Sequence, residues 1–147
     1  MFKKILVPVD GSEHSVHALD YALDVAEKYS ANILLLSVFH AVYSFIGVQP
    51  NFAPPSALDI LEAQKSYHEK VLTEALQRAK ELKPELEVST RLVEGRPAEI
   101  IIETAREGNF DLIVIGSRGL GGISQLLLGS VSDRVADSAP CPVLIIK

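Results

Sequence analysis

Five short apolar runs recur along the chain, and a stretch with helical periodicity separates each from the next. The runs cover residues 4–9, 33–38, 87–93, 111–115 and 143–146. After the first, Ser12 and Glu13 offer N-terminal capping chemistry to a helix with Val16, Leu19, Leu23 and Ala26 on one stripe, ended by Ser30-Ala31-Asn32. A long helix is expected over 57–82, with Leu61, His68, Leu72, Ala75 and Ala79 close to one face. Gly95-Arg96-Pro97 opens the next helix with proline in its first turn, and Gly108 closes it. Residues 129–139 read as the last helix. Strands alternating with helices require crossover connections, hence a mainly parallel sheet covered on both faces. Ligands of such open sheets settle outside the carboxyl ends of the strands, where the strand order reverses. Two segments lie there in any plausible order: residues 8–12 and residues 116–132.

Length and composition agree with one such domain. The 147 residues show no internal repeat, linker or composition break, so one α/β domain is expected over 1–147. Hydrophobic residues at 48% and charged residues at 22% exclude a disordered chain. A net charge of −5 repels phosphate backbones, which argues against a nucleic-acid binder. One cysteine makes neither an internal disulfide nor a multi-cysteine zinc site. Met1-Phe2-Lys3-Lys4 runs straight into a short apolar stretch that is no signal-peptide core, so a cytoplasmic protein is expected. Residues 33–48 carry no charge and invite a membrane reading. They are interrupted by Ser37, His40, Ser44 and Gly47, and a spanning helix needs about 20 predominantly apolar residues. A buried strand followed by an uncharged loop is the expectation, without membrane insertion. That loop, 39–56, is long enough to be a mobile lid or binding loop.

Five of the nine glycines fall within residues 116–132. Glycine lets a ligand approach the backbone with no Cβ in the way. The stretch delivers Gly129-Ser130-Val131-Ser132 to the start of a helix, where unpaired N–H groups and about half a positive charge favour an anion. Hydroxyls at 130 and 132 add donors, and together these features suit a polyphosphate. A P-loop is absent, because the chain has no Gly-Lys pair. The dinucleotide pattern is met only weakly, by Gly119-Leu120-Gly121-Gly122-Ile123-Ser124. Spacing alone is also met by a glycine-rich surface loop with no ligand, and Asp10 by a turn or cap residue.

The spacing that does fit is G-x2-G-x9-G-S, from Gly116, Gly119, Gly129 and Ser130. With Ile5-Leu6-Val7-Pro8-Val9-Asp10-Gly11-Ser12 at one end and Ala139-Pro140-Cys141-Pro142-Val143-Leu144-Ile145-Ile146 at the other, the sequence resembles a universal stress protein of the ATP-binding subgroup over essentially its whole length. The resemblance implies a Rossmann-like, open twisted five-stranded parallel sheet in the order 3-2-1-4-5. It implies that Asp10 helps hold the nucleoside, with the backbone of Pro8 and Val9 lining the base and that of Val38 meeting the adenine edge. Ile115 and Gly116 would lie against the ribose and α-phosphate, and Gly119 would let the loop fold over the phosphates. Gly129, Ser130, Val131 and Ser132 would receive the β- and γ-phosphates. Contacts of loop 39–56 do not carry over.

Arg118 and Arg134 stand near the implied phosphates, with Asp133 as a metal or water contact, yet no lysine occurs between Lys83 and Lys147. Phosphoryl transfer needs a positioned nucleophile and charge neutralisation, and G-x-S-x-G is absent. The expectation is an ATP-binding regulatory or sensor module with slow or negligible hydrolysis, with a weak ATPase or phosphotransferase as the alternative. Mg2+ or Mn2+ would be held mainly by the phosphates. His14 and His17 have a metal-ligand spacing but also that of ordinary surface helix residues, and Cys141 reads as a buried small residue. An apolar last strand, 143–146, at a sheet edge would pair with a second copy, so a homodimer is expected. A regulated protein partner, such as a membrane transporter or kinase, lies within the family's range.

Overall fold

The computed structural model describes residues 1–40, 49–52, 55–119 and 128–147. The elements run β1 (Lys4–Pro8), α1 (Glu13–Tyr29), β2 (Asn32–Phe39), a 3-10 turn (Pro50–Phe52), α2 (Pro55–Leu82), β3 (Val88–Glu94), α3 (Pro97–Glu107), β4 (Leu112–Gly116), α4 (Ser130–Ser138) and β5 (Val143–Ile146). The five strands form one sheet in the order β3-β2-β1-β4-β5, and every neighbouring pair is parallel. This is the expected α/β architecture and strand order. Register puts Ile5 of β1 opposite Ile33 of β2 and Leu112 of β4.

Boundaries differ from the sequence reading by one or two residues, each for a local reason. β1 ends at Pro8, although Val9 N–H still bonds Leu36 C=O at 2.8 Å. α2 begins at Pro55 instead of 57, since proline is tolerated in a first helical turn. The last helix starts at Ser130 with Gly129 as its N-cap. Of loop 39–56, residues 41–48 and 53–54 lie outside the described residues, and so does the expectation of a lid there. Its described parts are the end of β2, His40, and Gln49 with the 3-10 turn that follows. Ile33 to Val38, the core of the uncharged run, lie buried in β2. Among the described residues no helix is long and apolar enough to cross a membrane.

Alternation of side chains along the inner strands feeds two cores. On one face Ile5, Val7, Ile33, Leu35 and Val114 meet Ala18, Leu19, Ala22 and Leu23 of α1 and Val71, Leu72 and Ala79 of α2. On the other, Leu6, Leu34, Leu36, Ile113 and Ile115 meet Ile101, Ile102 and Ala105 of α3 and Val135 of α4. Full burial of each valine, leucine or isoleucine among them contributes about 1.5–3 kcal/mol before chain entropy is counted. Cys141 sits half-buried on this second face, and burial pushes its thiol pKa up. α1 and α2 are clasped at the surface by Arg78, whose Nε and Nη2 donate to the two Asp20 carboxylate oxygens, each at 2.7 Å.

At the opposite end of the sheet from the carboxyl edge, Asp111 accepts from the backbone N–H groups of Lys3 at 2.7 Å and Lys4 at 2.9 Å. These bonds favour the ionised carboxylate and hold its pKa below the ordinary aspartate value. A carboxyl with a depressed folded pKa contributes stability that is present above its unfolded pKa and is lost as pH falls through the folded one. Asp111→Ala is therefore expected to lower unfolding free energy at pH 7 by about 1 kcal/mol, a figure reduced for solvent screening. Urea titrations of both proteins should show that difference shrinking as pH falls through the acid carboxylate range; a difference independent of pH would contradict the carboxylate's role.

Candidate functional site

Strand order reverses between β1, which leads to β2, and β4, which leads to β5. The carboxyl ends of these central strands open into a cavity of about 500 Å3, within the usual range of about 300–1,000 Å3 for small-molecule sites. Pro8, Val9 and Asp10 border it from the end of β1, Val38 from β2, and Ile115 and Gly116 from β4. Arg118 and Gly119 border it from the glycine-rich stretch, and Gly129, Ser130, Val131 and Ser132 from the start of α4. All the residues expected from the sequence as ligand contacts thus meet around one cavity. Five more join them that the sequence reading did not single out: Ser15, Leu36, His40, Pro97 and Ile101. None belongs to a glycine or phosphate pattern: Leu36 and His40 come with β2 and its end, Ser15 with α1, and Pro97 and Ile101 with α3.

The glycine-rich corner is built around Ser117. Its N–H donates to Ile146 C=O at 2.7 Å, and its own carbonyl accepts from Gly129 N–H at 2.7 Å and Ser132 Oγ at 2.8 Å. These bonds close the excursion from 117 to 129 and bring α4 back beside β4. Residues 120–127 of the excursion, and with them most of the weak dinucleotide pattern, lie outside the described residues. The Ser132 hydroxyl therefore differs from its expected part as an added donor: it is buried and directed at Ser117 and Gly129 carbonyls. Ser132 retains its backbone N–H for the cavity. The N–H groups of Ser130, Val131 and Ser132 have no carbonyl to bond within α4, and Gly129 supplies no side-chain cap. Ser130 is exposed, so its hydroxyl is accessible.

Asp10 combines the turn role and the cavity role that the sequence left open. Oδ1 accepts from both the N–H and the hydroxyl of Ser12, the N-cap of α1, whose Oγ in turn accepts from Ser15 N–H at 3.2 Å. Oδ2 faces Gly119 so closely that a Cβ there would stand 2.6 Å from it. Arg118, half-buried, borders the cavity, and its Nε is buried with no hydrogen-bond partner among the described residues. A guanidinium at the cavity's border suits an anionic ligand. His14 and His17 meet different partners: His14 Nδ1 lies 3.1 Å from Ser117 Oγ, while His17 Nε2 is 3.9 Å from Glu13 Oε1. Among the described residues no group of three histidine, cysteine or acidic side chains is arranged to hold a metal ion. Asp133 and Arg134 are exposed on α4.

Behind the cavity stands a polar contact that the sequence gave no sign of. Ser37, fully buried in β2, donates to Val9 C=O at 2.8 Å and lies 2.7 Å from His68 Nδ1 on α2. Burial lowers the His68 pKa below the ordinary histidine value, against the pull of Asp10 and with the push of His40. Helical spacing had marked His68 as a core-facing residue, but its partner is 31 residues away and on another element.

The model of the family described as universal stress proteins matches residues 1–147. Universal stress protein YxiE of Bacillus subtilis is 36% identical over 152 residues, covering 100% of both chains. Among solved structures, universal stress protein UspA from Lactobacillus plantarum superposes with a TM-score of 0.87 at 26% identity, covering 99% of this chain and 98% of that one. A crystal structure of a universal stress protein in complex with cAMP gives a TM-score of 0.74 at 28% identity, covering 99% and 97%.

The corner also fixes a residue type. A Cβ on Gly116 would stand 2.8 Å from the backbone carbon of His14 and 2.9 Å from its oxygen, and backbone in α1 has little freedom to give way. Gly116→Ala is expected to destabilise the fold by about 1–3 kcal/mol, the usual cost of overpacking. A urea midpoint unchanged from wild type would show that α1 and β4 do not pack this closely.

Proposed function

The chain belongs to the universal stress protein family, and we propose that within it this protein is an adenine-nucleotide-binding regulatory module that takes ATP in the cleft beyond β1 and β4. One observation carries the reading: the uncapped N-terminus of α4, the half-buried Arg118 and the side-chain-free edge of Gly116 and Gly119 border one cavity. Three open N–H groups and a partial positive charge at a helix start are the chemistry that receives phosphate oxygens without a lysine. At the other end of the cavity, Val9, Leu36, Val38 and Ile115 supply apolar surface for a base and ribose, with Asp10 beside them. The complex of a similar protein with cAMP supports the adenine class of ligand.

In this reading Pro8, Val9, Asp10 and Val38 hold the nucleoside. Ile115 and Gly116 lie at the ribose and first phosphate, while Arg118, Gly119, Gly129, Ser130, Val131 and Ser132 hold the remaining phosphates. Mg2+ or Mn2+ would be carried by the phosphates and neutralise them, as hard cations bound through oxygen do. The protein's own part is to bind and orient the nucleotide and to respond to its presence in the cytoplasm. Slow or negligible hydrolysis is expected; sustained multiple turnovers, lost in Arg118→Ala or Asp133→Ala, would establish a phosphotransferase instead.

Calorimetric titration tests the site. Gly129 has φ −64, so its backbone conformation accepts a side chain, but a Cβ there would stand 3.3 Å from the Ser117 carbonyl oxygen and 3.4 Å from Arg118 Cα, so the branched valine presses on the corner that places α4 at the cleft. Gly129→Val is expected to weaken ATP binding more than about tenfold, about 1.4 kcal/mol, with cooperative unfolding kept. Equal affinities would remove α4 from the site.

The edge position of β5 supports a second copy as partner. β5 is short, lies outermost beside β4 and leaves Leu144 37% exposed, the kind of apolar edge that pairing covers. We infer a homodimer built on residues 143–146. Light scattering at micromolar concentration should give a dimer for wild type and a monomer for Leu144→Lys; a monomeric wild type would contradict it.

A further inference from the structure

Two consecutive side chains of α2 serve two consecutive carbonyls in the wall of the cleft. The Tyr67 hydroxyl donates to Asp10 C=O at 3.1 Å. His68 reaches Val9 C=O indirectly, through the Ser37 hydroxyl, at 2.7 Å and then 2.8 Å. The stretch they serve has left the sheet. Its last ladder bond is Val9 N–H to Leu36 C=O at 2.8 Å, and Gly11 follows with φ +86 before the cap of α1. A Cβ on Gly11 would stand 2.3 Å from the Tyr67 hydroxyl, so α2 closes over this turn with no space to spare. Val9 and Asp10 both border the cavity.

Counting protons gives the relay a direction. A serine hydroxyl has one hydrogen. With that hydrogen given to Val9 C=O, Ser37 Oγ is left as an acceptor towards His68, so Nδ1 must carry the ring proton. The opposite polarity, with Ser37 donating to Nδ1, takes this donor away from Val9. Burial holds the ring neutral at pH 7, with the Asp10 carboxylate and the His40 ring as the charged or titratable groups that act on it. In the neutral ring a proton on Nδ1 leaves Nε2 as the acceptor.

We propose, on the reading that the cleft takes an adenine nucleotide, that His68 is a positioning residue for the ligand: its Nδ1–H, relayed by Ser37, sets the Val9–Asp10 backbone against which the nucleoside packs. α2 thereby becomes part of the binding apparatus although it contributes no lining residue, and the hydrogen-bond direction matters as well as the packing. Asparagine places an amide N–H where Nδ1 stands and can keep that direction; leucine keeps bulk and loses it.

The test combines calorimetric titration with ATP and ring 15N spectra of the wild-type chain. His68→Leu and Ser37→Ala are expected to weaken ATP binding about tenfold, the effect of one lost buried hydrogen bond. His68→Asn should restore most of the affinity, to within about threefold of wild type on the same scale. In the spectra His68 should be neutral at pH 7 with the proton on Nδ1. Equal affinities for the Leu and Asn variants, or a proton on Nε2, would overturn the inference, and the spectra decide it even where a variant fails to fold. A wild-type chain that does not bind ATP would sink the nucleotide reading and this inference together; intact binding with no difference between the variants would sink this inference alone.

Discussion

Three hydrogen bonds to the backbone of Ser117 decide where the N-terminus of α4 stands. Ile146 accepts its N–H, tying the corner to β5, while Gly129 N–H and the Ser132 hydroxyl both donate to its carbonyl. Without that closure the chain after β4 would leave the sheet edge and α4 would not face β1. With it, the open N–H groups of α4 and the ends of the two central strands surround the same space. Gly116 lets α1 approach close enough to complete the wall, and Gly119 leaves room for the Asp10 carboxylate. The cleft is thus a product of backbone closure more than of charged side chains, and a net charge of −5 for the chain does not oppose it locally.

The two ends of the cleft are held by different means. On the α4 side the constraint is local, within the corner from Ser117 to Ser132. On the β1 side it is long-range: Asp10 is turned by Ser12, but the Val9 carbonyl is met by Ser37 of β2, 28 residues along the chain, and the Asp10 carbonyl by Tyr67 of α2, 57 residues along. α2 is in turn fastened to α1 by the paired Arg78–Asp20 contact. A ligand spanning the cleft would therefore join elements from both faces of the sheet.

Much of this was legible in the chain before any coordinates. The parallel sheet follows from β-rich runs separated by helical stripes, and the position of the cleft from strand order, because both are periodic or topological properties. Gly116, Gly119, Gly129 and Ser130 stand out because their spacing is itself the signal. The strand ends were less legible: Val9 and Phe39 continue or stop pairing according to their neighbours in the sheet, which no local pattern encodes. Ser132 shows a different limit. Its place at the site was visible, while the use of its hydroxyl on Ser117 required the fold. In the sequence His68 is a core-facing helix position and Ser37 a break in an apolar run. Their pairing is a contact between elements, and a single sequence contains no local trace of it.

The central claim is that backbone N–H groups at the start of α4 take the place of a lysine in gripping a polyphosphate. A crystal structure grown with ATP and Mg2+ tests it most directly. Phosphate oxygens are expected within hydrogen-bond distance, about 2.7–3.2 Å, of the N–H groups of Ser130, Val131 and Ser132, with the base against Val9 and Val38. An empty cleft, or a triphosphate held by side chains elsewhere on the molecule, would contradict it.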